Sequence, residues 1–236
     1  MRGKVSLIHA DCMDWLREQE TGAYDLAIVD PPYGGGYTGG TVATGDKIER
    51  RGGGWMKRFT PNGKPGTDDD IRAWDIQPTQ EYFDELFRVS KHQIIFGGNY
   101  FQLPPTRCYV VWRKTHIRPQ FRNMSPVEYA WTNFDRNPFY IEMDGRSFGH
   151  EKRIHPTQKP VRLYEAILSE FAESGWRICD THAGSASSLI ACYNLGFTAV
   201  GVEKSASVFE AANQRLQDHM AQVSMLDYAL EDVPEC

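Results

Sequence analysis

"RICDTHAGSASSLIACYNLGFTAVGVE", residues 177–203, is the stretch that decides the fold. A short apolar run ends in Asp180, a small-residue turn follows, and a helical stretch leads to a second apolar run ending in Glu203. Strand, turn, helix and strand make one βαβ unit, whose crossover returns the chain to the same end and sets the two strands parallel. In doubly wound sheets such a unit can hold an adenosine-type ligand at the carboxyl ends of its strands. The close turn lets backbone approach the ligand, and an acid after the next strand can take the ribose hydroxyls. The turn is not GxGxxG, so a dinucleotide pyrophosphate is a poor match, and the acids there suit a cationic group instead. Taken alone, the turn is a weak signal, and a plain βα connection is the other reading.

Working outward, "KVSLIHA" (4–10), "YDLAIVD" (24–30), "QIIFGG" (93–98), "CYVVWRK" (108–114) and "VEYAWTNF" (127–134) read as strands. Helical spacing marks the stretch through Met13, Trp15 and Leu16, then residues 80–90, 161–172 and 206–220. Strands alternating with helices predict an α/β fold with a Rossmann-like, seven-stranded, mostly parallel sheet and helices on both faces. The 236 residues suffice for one such domain and do not require two. Two stretches break the alternation: a Gly-rich basic loop over about 34–78, expected to be mobile, and an irregular basic stretch from Asp135 to Pro160, which overlaps a basic region over about 107–153. The tail after Ser224 is acidic and reads as loosely held.

No apolar run of about 18 residues occurs, so no membrane span or membrane partner is expected. The five cysteines are scattered and none forms a CxxC pair, which predicts neither a metal site nor a disulfide framework, and a reducing cytoplasm as the home. The net charge of -5 speaks against a nucleic-acid partner, but the charge is unevenly spread. Residues 34–64 hold six Lys/Arg against two Asp/Glu and residues 107–153 nine against five, whereas 203–236 hold two against seven. A phosphate-binding face is a local property, so the acidic total does not exclude one.

"DPPY" (30–33) closes the second predicted strand. Each proline fixes φ and removes an N–H donor. The Asp30 carboxylate and the backbone carbonyls beside it thus form a stiff edge that only accepts hydrogen bonds, and Tyr33 adds a flat apolar face. That combination suits the exocyclic amino group of a planar base. It also has a chemical use: acceptors that pull both N–H groups toward tetrahedral geometry localise a lone pair otherwise delocalised into the ring. A rigid strand end with a packing tyrosine is the plain alternative. "HPTQKP" (155–160) offers donors at His155, Thr157 and Lys159 where a ligand carboxylate could sit, with Pro160 opening a helix.

"ADC" (10–12), "DPPY", "HPTQKP" and "DTHAGSAS" (180–187), in that order, resemble the S-adenosylmethionine-dependent DNA amino-methyltransferases of the beta class. The resemblance runs from about Val5 to Gln217 and implies a class I methyltransferase fold with a circularly permuted motif order. It makes the chain a single methyltransferase domain, of the kind found in restriction–modification, with residues 107–153 as the target-recognition region. It assigns Asp30, Pro31, Pro32 and Tyr33 to catalysis on a base flipped out of double-stranded DNA. It assigns the cofactor to Asp11, Cys12, Asp30, Thr157, Lys159, Asp180, His182, Gly184, Ser185 and Glu203. Within that set Asp11 meets the adenine, Glu203 the ribose, and Asp180, Gly184 and Ser185 the methionine end. The turn departs from the family pattern: Thr181 replaces Pro, His182 Phe, Ala186 Gly and Ser187 Thr, which bears on how tightly it closes.

Phosphate contacts are expected from Lys47, Arg50, Arg51, Lys57 and Arg58 on the lid-like loop, and from Arg118, Arg122 and Arg136 in the recognition region. Asp at position 30 favours N6 of adenine in this family, with N4 of cytosine as the alternative. Cys12, Cys108 and Cys179 have no Pro-Cys context and read as packing residues rather than nucleophiles. Three other classes stay open: a catalytically silent DNA- or cofactor-binding relative, an RNA or protein amino-methyltransferase, and a dinucleotide oxidoreductase, the last disfavoured by the missing GxGxxG. A small recognition region implies a short site, or a homodimer that shares the reading.

Overall fold

The computed structural model describes residues 2–34, 76–118, 125–146, 153–155 and 157–231, with side chains described as far as residue 222. Its strands are β1 (Lys4–His9), β2 (Tyr24–Val29), β3 (Ser90–Phe96), β4 (Tyr109–Lys114), β5 (Val127–Thr132), β6 (Phe139–Met143), β7 (Arg177–Asp180) and β8 (Thr198–Glu203). They form one sheet in the order β1-β8-β7-β2-β3-β5-β4-β6. All neighbours are parallel except where β5 runs antiparallel to both β3 and β4.

The sheet therefore has eight strands, not the seven expected. The additional one, "FYIEM", lies in the basic stretch that breaks the alternation. Its own period is legible in retrospect: Phe139, Ile141 and Met143 are half-buried while Tyr140 and Glu142 are exposed. Five residues between a proline and a glycine turn are too few to stand out, and pairing with β4 is what makes them a strand.

The helices are α1 (Cys12–Glu18), α2 (Gln80–Val89), α3 (Val161–Phe171), α4 (Ser187–Leu195) and α5 (Ala206–Glu231). α5 continues into the acidic tail expected to be loosely held. Along β2, Leu26 and Ile28 pack on the face that carries α3 and α4, while Ala27 and Val29 pack on the face that carries α1 and α2. A strand covered on both faces must be apolar at every position, which is why "LAIV" shows no alternation. α2 buries Tyr82, Phe83, Leu86 and Val89, the i, i+3/i+4 stripe of an amphipathic helix.

Doubly wound topology directs every parallel strand toward one end, and the loops there line a common crevice. Asp180 and Glu203 are the last residues of β7 and β8, and Asp30 follows the last residue of β2. β2 and β7 are direct neighbours, with Ala27 opposite Cys179, so the two acid-bearing ends emerge side by side.

Candidate active site

At the head of β2 the Asp30 carboxylate is held from both sides. The Tyr33 hydroxyl donates to Oδ1 at 2.7 Å, and the Lys159 ammonium donates to Oδ2 at 2.5 Å. Lys159 is only 6% exposed, and its Nζ also lies 4.6 Å from the centroid of the Phe96 ring. It reaches this position because "HPTQKP" is a turn locked by its own bonds. The Gln158 amide donates to the His155 carbonyl at 3.1 Å, and the Ile154 amide donates to Gln158 Oε1 at 2.9 Å. Thr157 Oγ1 is 3.1 Å from His155 Nδ1, so it serves the turn, and Lys159 is the residue of this segment that meets Asp30.

Two further charges, not anticipated from sequence, complete the cluster. Glu128 of β5 faces Lys159 at 3.5 Å and pairs with Lys114 of β4. Burial works to lower the Lys159 pKa but is outweighed by the Asp30 and Glu128 carboxylates, so the net shift is upward. Burial likewise opposes ionisation of Glu128, and Lys159 and Lys114 overcome it. The Tyr33 phenol is pushed well up, by burial first and by Asp30 and Glu128 next, so it stays a donor.

The Tyr33 ring stacks on Tyr100 with centroids 5.0 Å apart and planes 19° apart. Tyr100 belongs to a 3₁₀ turn (Gly98–Tyr100) directly after β3 and is 58% exposed. The ring has room because Gly97 has no side chain: a Cβ there would sit 2.2 Å from Tyr33 Cε1. Its φ of +68° is a second reason for glycine. Expected as a bare stacking plate, Tyr33 instead shares its ring with Tyr100 in this conformation.

The β7 turn is the other half. Asp180 is 3% exposed and accepts from the His182 amide at 3.0 Å and the Ser188 hydroxyl at 2.5 Å. Burial pushes its pKa up to about 7, the two hydrogen bonds oppose the rise, and the Asp30 and Glu203 charges add to it. Asp30 and Asp180 are thus close enough for their charges to act on each other. Glu203 accepts from the Gly184 and Ser205 amides, at 3.0 and 2.8 Å, which ties the β8 acid to the turn. Ser185 is buried, its carbonyl accepting from Arg215 of α5 and its hydroxyl 3.1 Å from that of Ser187.

The unusual residues of this turn are accounted for. Thr181 Oγ1 lies 2.6 Å from the Tyr82 hydroxyl, and His182 Nδ1 lies 3.0 Å from Thr181 Oγ1 and 3.3 Å from Tyr82. Tyr82, missed from sequence because it reads as one more apolar helix position, is the partner that makes Thr-His workable here. Burial lowers the His182 pKa to about 4, so the ring is neutral. Ala186 adopts φ 60°, the chain's one described non-Gly residue in the left-handed region. The turn therefore closes as glycine would close it, at a backbone cost on the order of 1 kcal/mol.

Some assigned residues have other partners. Asp11 Oδ1 caps α1 by accepting from the Met13 amide at 2.8 Å, and Oδ2 pairs with Lys204 at 2.9 Å. Cys12 Sγ rests 3.9 Å from His182 Nε2, and burial pushes the thiol up to about 11, an unreactive packing residue. Arg118 is exposed beyond β4, at the cleft end of the sheet. Arg136 is not in the cleft. It follows the antiparallel β5, which delivers it to the opposite end, where it pairs with Glu170 and lies 4.9 Å from the Phe171 ring. Lys47, Arg50, Arg51, Lys57, Arg58 and Arg122, like most of the 34–78 loop, lie outside the described residues. Among the described residues no helix is long and apolar enough to cross a membrane, and no group of three His, Cys, Asp or Glu could hold a metal ion.

With this geometry in view, comparison with known proteins is informative. Residues 109–214 match the family described as "DNA methylase", the N6 and N4 methyltransferases. The chain is 24% identical over 229 residues to the putative methylase YubD of Escherichia coli K12, covering 89% of this chain and 88% of that protein. It is 23% identical to the type II methyltransferase M.HpaI of Haemophilus parainfluenzae, covering 97% and 79%.

The family match and these relatives support a DNA amino-methyltransferase.

Solved relatives agree on the fold. The M1.HpyAVI–SAM complex superposes with a TM-score of 0.57 at 19% identity, covering 90% of this chain and 98% of that one. The cytosine-N4-specific PvuII DNA methyltransferase gives the same TM-score at 12% identity, covering 94% and 93%. The family's cofactor is S-adenosylmethionine, and the residues present fit it. Asp180 and Glu203 are acceptors suited to a cationic ligand, and a Cβ at Gly184 would meet nothing nearer than 3.8 Å, which leaves space beside the turn. Asp180, His182, Gly184 and Ser185 lie on the β7 turn, and Glu203 is bonded to it through the Gly184 amide.

Proposed function

We propose that the chain methylates N6 of adenine in double-stranded DNA, using S-adenosylmethionine, on a base extruded from the helix. One observation carries the reading: a donor-free Asp-Pro-Pro edge and a buried acidic turn follow neighbouring parallel strands at the same end of the sheet, close enough for Asp30 and Asp180 to act on each other. Pro31 and Pro32 offer no N–H, so the amino group of the base meets only acceptors there. Asp30, with one oxygen on Tyr33 and one on Lys159, keeps a fixed orientation and retains lone pairs for an N–H. The Tyr33–Tyr100 pair is an aromatic platform at the same edge, suited to hold the ring of an extruded base. Asp180 and Glu203 accept at the cofactor's end, where positive charge restores ionisation to a carboxyl that burial otherwise protonates.

When bound, S-adenosylmethionine supplies a methyl on a sulfonium: the amine lone pair forms the C–N bond, sulfur keeps the electrons of the broken bond, and the nitrogen loses a proton. Asp30 accepts the N–H as positive charge grows on that nitrogen, and offers an acceptor for the proton it loses. The preference for adenine rests on Asp at position 30.

The test is incubation with labelled S-adenosylmethionine and mixed genomic DNA, followed by nucleoside analysis. N6-methyldeoxyadenosine is expected, and N4-methyldeoxycytidine would transfer the reading to cytosine. Cofactor binding without label on any DNA would leave a silent binding protein. Asp30→Ala is expected to remove methylation, by a factor of about 10³ or more, while cofactor affinity stays within about threefold. A methylating Asp30→Ala variant would overturn the role given to Asp30.

A further inference from the structure

Asp30 and Lys159 account for two of four charges in the cluster, and the methyl-transfer reading leaves the other two unused. Glu128 and Lys114 sit on β5 and β4, which pair antiparallel with Trp112 opposite Glu128. Because β5 alone runs against the sheet, a residue near its start reaches the same end as the carboxyl termini of the parallel strands. Glu128 is only partly exposed, yet one of its oxygens accepts no hydrogen bond and faces Lys159 at 3.5 Å. The other oxygen is taken by Lys114.

A carboxylate is rarely buried unless something holds it there. Here it does not touch the cleft's reacting edge, and its contacts go to two lysines, one of which touches Asp30. The Lys159 side chain has four rotatable bonds, and the Phe96 ring holds its ammonium on one side only. Two carboxylates in different directions fix that ammonium where one would leave it free to swing. The four charges, two positive and two negative, also cancel, so the cluster is stable in a cleft that already carries Asp180.

We propose that Glu128, anchored by Lys114, is a positioning residue for methyl transfer: it holds the Lys159 ammonium on Asp30 and so fixes the carboxylate that receives the amino group. The proposal rests on the methyltransferase reading above and adds a residue outside all four recognised sequence motifs. The titratable groups facing this ammonium and its partners are Asp30 and Tyr33 after β2, Lys114 of β4, Glu128 of β5, His155 of the turn before α3, Tyr164 of α3 and Asp180 of β7.

The test combines kinetics with an activity-independent readout, using the full chain. Glu128→Gln is expected to lower the single-turnover methylation rate by about 30-fold or more, with cofactor Kd and DNA KM within about threefold. In a Lys159→Met background the same substitution should cost less than about threefold, because the path through the lysine is gone. A Glu128→Gln rate equal to wild type, or a full loss in the Lys159→Met background, overturns the proposal. In parallel, NMR titration of ε-labelled lysine should show the Lys159 ammonium deprotonating at lower pH in Glu128→Gln, since burial then faces one carboxylate rather than two. An unchanged Lys159 titration overturns the proposal even if the protein methylates nothing. An absence of methylation by the unsubstituted chain refutes the methyltransferase reading separately. If Glu128→Gln fails to fold, Glu128→Asp keeps the charge while shortening its reach, and is expected to lose rate while retaining the wild-type lysine titration.

Discussion

Asp180 shows how one residue can set a pH response. Burial raises its pKa from the ordinary carboxyl value of 3.8 to about 7. Between those values the folded chain binds a proton that the unfolded chain has released, so this group's contribution to stability falls as pH rises through that window. The magnitude is on the order of a few kcal/mol. A cation bound beside Asp180 reverses the preference by favouring the carboxylate, so under the proposed function cofactor binding is expected to release a proton near neutrality. S-adenosylmethionine affinity should therefore strengthen by about tenfold from pH 6 to pH 8, measured by calorimetry in buffers of different ionisation enthalpy. A flat affinity over that range would contradict the arrangement. Asp180→Asn should stabilise the cofactor-free protein at pH 8 and remove the pH dependence of whatever binding remains.

Among the elements, the hinge between β3 and its 3₁₀ turn matters more than its length implies. Gly97 is in the left-handed region, and a methyl there would overlap the Tyr33 ring at 2.2 to 2.6 Å. Movement of the ring would disturb its stack on Tyr100 at 5.0 Å and its edge contact with Phe101 at 6.2 Å. Gly97→Ala should therefore displace Tyr33 from Asp30 and reduce methylation by about 10² or more, with cofactor affinity unchanged. The backbone strain adds on the order of 1 to 2 kcal/mol of lost stability, visible in chemical denaturation. Full activity in Gly97→Ala would mean that the Tyr33 hydroxyl bond to Asp30 is dispensable. The sequence offers "QIIFGG" as a strand end, and nothing local reveals that its glycine touches a tyrosine 64 positions earlier.

For the whole molecule, the direction of β5 sorts the basic residues. Arg118 and Arg136 belong to one basic stretch, and composition treats them alike. The sheet places Arg118 exposed at the cleft end and Arg136 at the other, against Glu170 and Phe171. Arg118→Ala is expected to weaken DNA binding about twofold to tenfold and to lower the slope of log affinity against log salt by about one. Arg136→Ala should leave both unchanged and cost at most about 1 kcal/mol of stability. Fluorescence anisotropy across a salt series measures both. Equal effects from the two arginines would show that the DNA surface extends beyond the cleft.

Much of this protein is determined by sequence alone. Hydrophobic period and turn chemistry are local, so the βαβ unit at 177–203, the stiff Asp30–Pro31–Pro32 edge and the acids at strand ends can be read from the residues themselves. What tertiary structure decided is which of these meet. Lys159 lies 129 residues from Asp30, Tyr82 99 from Thr181, and Glu128 on a strand whose reversed direction no local pattern records. Burial then turns those meetings into chemistry, because a carboxyl group or an ammonium has an ordinary pKa in water and acquires a particular one only among its neighbours.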